Sequence, residues 1–279
     1  MKTCGMRTTP IWLNWPDEGI TTMTAEPTGV RIEQVDDLLH VTLDRPAVRN
    51  AQTPATWRAL AAVPSRLTPQ IRAVVLRGEG ASFSAGLDRR MLTPEGVPGE
   101  ESLLTLAAHD EAQMDVFIRE AQAAFTWWRE VPQVTIAMVQ GHAIGAGFQL
   151  ALACDLMVVA PNALLAMRET SLGLVPDLGG TGPLVDRVGY SRAFEVCVTG
   201  RFVTGAEAVG MGIANLEAAQ ESWDAVLGQL LEPIRSALPT AVGELKTLLA
   251  GATRDRAQLD RERAAQIRRL TELSTLMGG

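Results

Sequence analysis

The stretch from Val134 to Gly180 limits the possible folds more than any other part of the chain. It opens on an apolar run, Val134-Thr-Ile-Ala-Met-Val139, and passes through Gln140-Gly-His-Ala-Ile-Gly-Ala-Gly147. A second apolar segment, Phe148-Gln-Leu-Ala-Leu-Ala-Cys-Asp155, and a third, Leu156-Met-Val-Val-Ala160, follow. The stretch closes in Met167-Arg-Glu-Thr-Ser-Leu-Gly-Leu-Val-Pro-Asp-Leu-Gly-Gly180. Short apolar runs separated by glycine read as a buried strand, a buried helix and a second buried strand. The glycines at 141, 145 and 147 bring backbone close to a neighbour or a ligand. Two carboxylates, Glu169 and Asp177, then share one loop flanked by Gly and Pro.

The same apolarity could suggest a membrane span. Asp155 would cost about 2.5–3.5 kcal/mol near a bilayer centre, and the glycines interrupt the run, so a buried strand–helix–strand unit is expected instead. With 279 residues, 47% hydrophobic and 20% charged, the chain has the composition of a globular protein with one large domain or two small ones. Its net charge of -7 lacks the basic footprint of a nucleic-acid binder. Cys4, Cys154 and Cys197 cannot all pair, and no CxxC or Cys/His cluster is present, so no metal is expected. The N-terminus shows no apolar signal region, and a cytoplasmic location with no membrane contact is expected.

Residues 1–27 carry Trp12 and Trp15 without a clear period and read as an N-terminal extension, disordered or locally packed. Met23 precedes a stretch that reads like an ordinary start. Two alternating strands, 30–34 and 39–43, are predicted next. A helix from Pro54 to about Val63 follows, with Thr53 as N-cap, then a buried strand at Ala73–Leu76. Helix is predicted from about Leu103 to Glu130, interrupted once, and again over 184–188, 191–199, 204–210 and 222–273 with a break near Pro239. The organisation predicted is an α/β core over residues 28–215 and a helical C-terminal region over 216–279.

Two places share one pattern, a buried strand ending in a small-residue loop that leads towards a helix. One is Ala73–Leu76 followed by Ser84-Ala-Gly-Leu-Asp88; the other is Val134–Val139 followed by Gly145-Ala-Gly147. Backbone N–H groups in such loops can face a ligand oxygen, and two that converge make an oxyanion hole. Close helix–strand packing would account for either loop taken alone. A dinucleotide site fits poorly, because Leu150 stands where a third glycine belongs and no acidic residue follows about 20 positions on. No GK[ST] follows any glycine cluster, which excludes a P-loop.

With these motifs in order, the chain resembles the crotonase family of enoyl-CoA hydratases and isomerases. Leu43–Ala51 resembles that family's early strand–turn segment. Ser82–Asp88 and Gly141–Asp155 resemble its two oxyanion loops, Glu169–Gly180 its catalytic loop, and Val198–Ala208 the helix pair that follows. The resemblance implies a spiral of ββα repeats with a C-terminal helical region, assembled as a homotrimer or homohexamer. It implies an acyl-CoA thioester substrate, with coenzyme A as part of the substrate and no bound cofactor. The thioester oxygen would be held by the amides of Leu87 and Ala146. Ala85 and Asp88, in the first loop, are further substrate-site candidates.

Matched position by position, the second of the two hydratase glutamates falls on Glu169, and the first falls on Gln149, whose amide cannot exchange a proton at neutral pH. Glu169 alone resembles the arrangement of the double-bond isomerases, and Asp177 falls where dienoyl-CoA isomerases carry an aspartate. The expected activity is a double-bond isomerase with Glu169 as base. Asp177 would donate at the distal carbon or raise Glu169's pKa by like-charge proximity. A hydratase, or an acyl-CoA-binding protein with little turnover, is the alternative. Asp177 could also cap the following helix, and Glu169 could pair with Arg168 or Arg187. Arg45, Arg49, Arg89 and Arg90 flank the loops and are candidates for CoA phosphate. Asp155 reads as a structural carboxylate. Residues 254–270 alternate charges about a Leu/Ala/Ile stripe, which predicts a helix packed on one side, on its own chain or on another subunit. Leu273–Gly279 do not match the EGxxAFxEKRxPxF segment with which many members close the acyl-CoA site.

Overall fold

The structure, a computed structural model, describes residues 28–253 and 257–277. Expectations for residues 1–27, and for Cys4 among them, fall outside the described residues. The first strands, β1 (Val30–Val35) and β2 (Leu38–Leu43), pair as an antiparallel hairpin with Val30 opposite Leu43. Thr53 caps α1 (Pro54–Ala61) by accepting from the Thr56 N–H, with Pro54 in the first turn. That helix is shorter than predicted, because a 3-10 turn takes over at Val63–Arg66.

β3 (Ala73–Gly78) pairs parallel to β2, and β4 (Val134–Val139) parallel to β3. Every residue of β4 is buried, which explains its continuous apolar sequence. The predicted interruption of the long helix comes at Asp110. It ends α2 (Leu103–His109), and its side chain accepts from the Ala112 N–H to cap α3 (Glu111–Thr126).

The Val134–Gly180 stretch folds as predicted and adds short strands that its sequence did not announce. After β4 come β5 (His142–Ile144), α4 (Ala146–Ala153), β6 (Leu156–Val159) and β7 (Leu164–Ala166). All eight residues of α4 are buried, as an apolar sequence on every helical face requires. β6 extends the main sheet beside β4, while β5 and β7 pair parallel in a second sheet, with β8 (Val203–Thr204) antiparallel to β7. α5 (Thr181–Thr199) merges the two predicted helices across Gly189, whose φ of 75° breaks the helical path. α6 (Gly205–Met211) leads to β9 (Leu216–Glu217), which pairs with β6 and completes the order β1-β2-β3-β4-β6-β9.

The C-terminal helices are α7 (Trp223–Ser236), α8 (Pro239–Thr253) and α9 (Ala257–Met277). Trp223, Leu227 and Leu231 of α7 pack on the face of the main sheet formed by Ala73, Val75, Ile136, Met138 and Val158. Lys246 of α8 reaches inward to Asp155 at 2.7 Å and donates to the carbonyls of Gln133 at 2.6 Å and Trp128 at 3.2 Å. Thr135 donates to the same carboxylate from its backbone at 2.8 Å and its hydroxyl at 3.0 Å, so Asp155 is the structural carboxylate its setting predicts. Ile267 and Leu270 of α9 are buried with Leu103, Leu106, Met114 and Ile118, so the stripe packs within its own chain. Among the described residues no helix is long and apolar enough to cross a membrane.

Candidate active site

The two small-residue loops lie against each other. Ser84 N donates to His142 O at 2.8 Å and Ile144 N donates to Ser84 O at 3.0 Å, which joins the loop after β3 to β5. Gly86 then sits at φ 86°, where a methyl group would lie 3.4 Å from Ala146 N and would collide with the Ile144 carbonyl. Only glycine lets the backbones come this close.

Leu87 and Ala146, whose amides the resemblance puts forward, lie at the ends of this packing. Gln52 N donates to Gly86 O at 2.7 Å and Asp88 N donates to Gln52 O at 2.8 Å. Successive peptide groups of an extended chain alternate in direction, so the Leu87 N–H between them points away from Gln52. Ala146 is the first residue of α4, where the helix offers its N–H no acceptor. Neither amide has a hydrogen-bond acceptor among the described residues.

Glu169 sits beside them. Gly145 N donates to Ala166 O at 2.8 Å, which holds the end of β7 against the start of α4 and delivers Glu169 to that junction. A methyl group on Gly145 would lie 3.3 Å from Glu169 Oε1. Gln149 Nε2 donates to that oxygen at 2.8 Å, whereas the buried Oε2 has no partner among the described residues. Burial pushes the Glu169 pKa up to about 7, against hydrogen bonds from its own backbone and from Gln149 that pull it down. A carboxyl poised near neutrality beside two free amides can take a proton from a carbon next to a polarised carbonyl.

Residues 33–275 match the enoyl-CoA hydratase/isomerase family. The chain belongs to that family. A Thermobifida fusca YX protein assigned as an enoyl-CoA hydratase, solved in complex with acetoacetyl-CoA, is 40% identical with a TM-score of 0.77, covering 88% of this chain and 96% of its own. Carnitinyl-CoA dehydratase of Salmonella typhi is 33% identical over 214 residues, 76% of each chain. The mitochondrial enoyl-CoA hydratase domain-containing protein 2 of Bos taurus is 32% identical over 186 residues, 66% of this chain and 58% of its own length. The crotonase fold is thus the fold of this chain.

Around Glu169 and the two amides, the remaining candidates take different positions. Burial, not a neighbouring like charge, is what raises Glu169, so the like-charge role given to Asp177 does not hold. Asp177 is half-buried, its carbonyl accepting from Gln122 Nε2 at 2.6 Å, one residue before Leu178, whose N–H reaches Gln149. α5 starts after Gly180, three positions beyond Asp177. Arg187 donates to the carbonyls of Ile213 and Cys154, at 2.6 and 2.8 Å, rather than pairing with Glu169.

Arg45 and Asp88 face each other at 3.5 Å with side chains 8% exposed, and Arg45 also donates to Ala51 O at 2.6 Å. Burial alone would raise Asp88, but hydrogen bonds from Arg90 and the charges of Arg90 and Arg45 overcome it and hold Asp88 below the usual range. These two residues brace the end of the first loop. Arg49 is exposed at φ 52°, and its carbonyl accepts from Ala85 N at 2.8 Å.

Asn50, Gln52 and Trp57, which the sequence did not single out, hold the first loop from beneath. Asn50 Nδ2 donates to the carbonyls of Glu79 and Ser82 at 2.9 Å and of Phe83 at 3.2 Å. Trp57 Nε1 donates to Gln52 Oε1 at 2.8 Å, and Gln52 Nε2 donates to Ser84 Oγ at 3.1 Å. Ser84 Oγ in turn donates to Asn50 O at 2.8 Å and accepts from Gly86 N at 3.1 Å. The available signal was polar residues placed between two core strands, each able to bond backbone.

Proposed function

We propose that this protein binds an acyl-CoA thioester and shifts a carbon–carbon double bond along its acyl chain through an enolate. The thioester oxygen takes the N–H groups of Leu87 and Ala146. Glu169 removes a proton from C2, the C–H electron pair moves into the carbonyl, and the charge comes to rest on the oxygen between the two amides. Return of that proton at C4 leaves the double bond between C2 and C3, with no gain or loss of atoms. Each oxyanion donor is worth about 3–4 kcal/mol to such a step. Asp177, half-buried on the loop after Glu169, is the proposed second group for the chain's distal end. Ala85 and Arg49 line the approach for the CoA portion, and coenzyme A arrives only as part of the substrate.

The observation that carries this reading is the single proton carrier at the paired amides: Glu169 is raised towards neutrality, and its partner Gln149 is an amide. A hydratase or other lyase is the second reading, supported by the names of the Thermobifida and Salmonella relatives. Exposed apolar residues of α5, Tyr190, Phe194 and Val198, support assembly with further copies of the chain, a homotrimer or homohexamer in this proposal.

The deciding experiment offers 2-enoyl, 3-enoyl and dienoyl thioesters and follows products by mass. A 3-enoyl substrate converted at unchanged mass supports the double-bond shift. Gain of one water by the 2-enoyl substrate, with the 3-enoyl untouched, would replace it with hydration.

A further inference from the structure

Gln149 is held at both ends. Its Oε1 accepts from the backbone N–H groups of Leu178 at 3.0 Å and Gly180 at 3.2 Å. Two donors at that end identify it as the oxygen, because an –NH2 there would face two other donors with no acceptor between them. The Nε2 end therefore points at Glu169 and donates to Oε1 at 2.8 Å. Gly180 also confines the side chain laterally: a methyl group at 180 would lie 2.6 Å from Gln149 Cγ. Gln149 is 1% exposed, and the second carboxylate oxygen, Glu169 Oε2, is buried without a partner among the described residues.

We propose that Gln149 is the positioning residue for proton transfer, occupying Glu169 Oε1 in both protonation states and leaving Oε2 as the one oxygen that takes and returns the proton. The proposal rests on the reading of Glu169 as base. The amide nitrogen has no lone pair available for the proton, so the proton leaving C2 goes to Oε2 as the carboxylate becomes a carboxylic acid. The same O–H bond then breaks to protonate the far carbon, and the carboxylate is restored. A donor to Oε1 also favours the ionised form, which opposes the effect of burial and keeps the base usable at neutral pH.

Gln149→Met keeps side-chain length and removes the donor. Gln149→Glu keeps an oxygen for Leu178 and Gly180, so the loop stays anchored if methionine weakens folding. It also sets a second carboxylate against Oε1. The Glu169 carboxyl is titrated in the full-length protein without substrate by difference infrared spectroscopy, using Glu169→Gln to assign the band, and the pH profile of kcat/KM is recorded alongside.

The wild-type carboxyl is expected to titrate near 7. In Gln149→Met its midpoint rises by about one to two pH units, and in Gln149→Glu the upper midpoint of the pair rises likewise. For Gln149→Met, kcat/KM at pH 7 falls about 5- to 50-fold and recovers as pH passes the new midpoint, with KM within about threefold. An unmoved midpoint in both variants, or a rate loss equal at every pH, overturns the proposal and leaves Gln149 as packing. The titration needs no turnover, so a shifted midpoint in a protein inert to every thioester would sink the double-bond shift and leave the positioning role standing.

Discussion

Gly147→Ala separates the two proposed oxyanion loops by steric means alone. Gly147 has ordinary helical geometry near the start of α4, so alanine is favoured there by helix propensity by about 1 kcal/mol. A methyl group at this position would lie 2.5 Å from Ser84 O and 2.8 Å from Ser84 Cβ, whereas ordinary contact begins at 3.4 Å. The start of α4, and with it the Ala146 amide, must therefore retreat from the first loop by roughly 1 Å. Overpacking of this kind costs about 1–3 kcal/mol, which leaves the variant folded. A displacement of that size costs about 10²-fold in rate, close to the loss of one oxyanion donor. The assay is exchange of acyl-CoA α-protons with D2O, which reads enolate formation whatever the later product. Gly228→Ala, in α7 with nothing within 4 Å of the new methyl, is the matched control. It is expected to exchange at the wild-type rate and to melt slightly higher. Exchange within about threefold of wild type in a folded Gly147→Ala protein would refute the claim that the apposed loops form the oxyanion site.

Two further outcomes follow from buried charge. Between its ordinary 4.5 and its value of about 7, Glu169 keeps in the folded state a proton that the unfolded chain has released, so stability falls as pH climbs through that window. Glu169→Gln is therefore expected to be more stable than wild type by about 3 kcal/mol at pH 8, with the difference closing towards pH 5; denaturant midpoints that differ equally at both pH values would contradict this. Lys246→Met leaves Asp155 with its Thr135 donors alone among the described residues and is expected to cost about 2–4 kcal/mol, measured by denaturant unfolding at pH 7, and a loss below about 0.5 kcal/mol would show the pair to be incidental.

The glycine loops were legible because their signal is local: a strand, a few small residues and a helix, all within one short stretch. The same holds for α1, where Thr53 and Pro54 announce the start. The contact between Gln149 and Glu169 joins residues on different elements, and only the family resemblance brought the two positions into one argument. Arg45 and Asp88 show the opposite case. Their charges suggest phosphate and solvent, yet they lie far apart in sequence, and no local pattern reveals that folding brings them together and buries them. Gln52 gave no signal of its own for the same reason, since its partners Trp57 and Ser84 lie elsewhere in the chain. The apolar stripe of α9 was visible, but not its partner surface on α2 and α3. The strands of the second sheet are two or three residues long, too short for an alternating pattern to register.

The central claim is that one carboxylate carries the proton in this site. Its most direct test is Glu169→Gln, assayed with a 3-enoyl-CoA substrate for both double-bond shift and α-proton exchange, with binding of the thioester measured on the same protein. The account predicts that both reactions disappear while the thioester binds nearly as tightly as to wild type. Turnover that survives the substitution would contradict it.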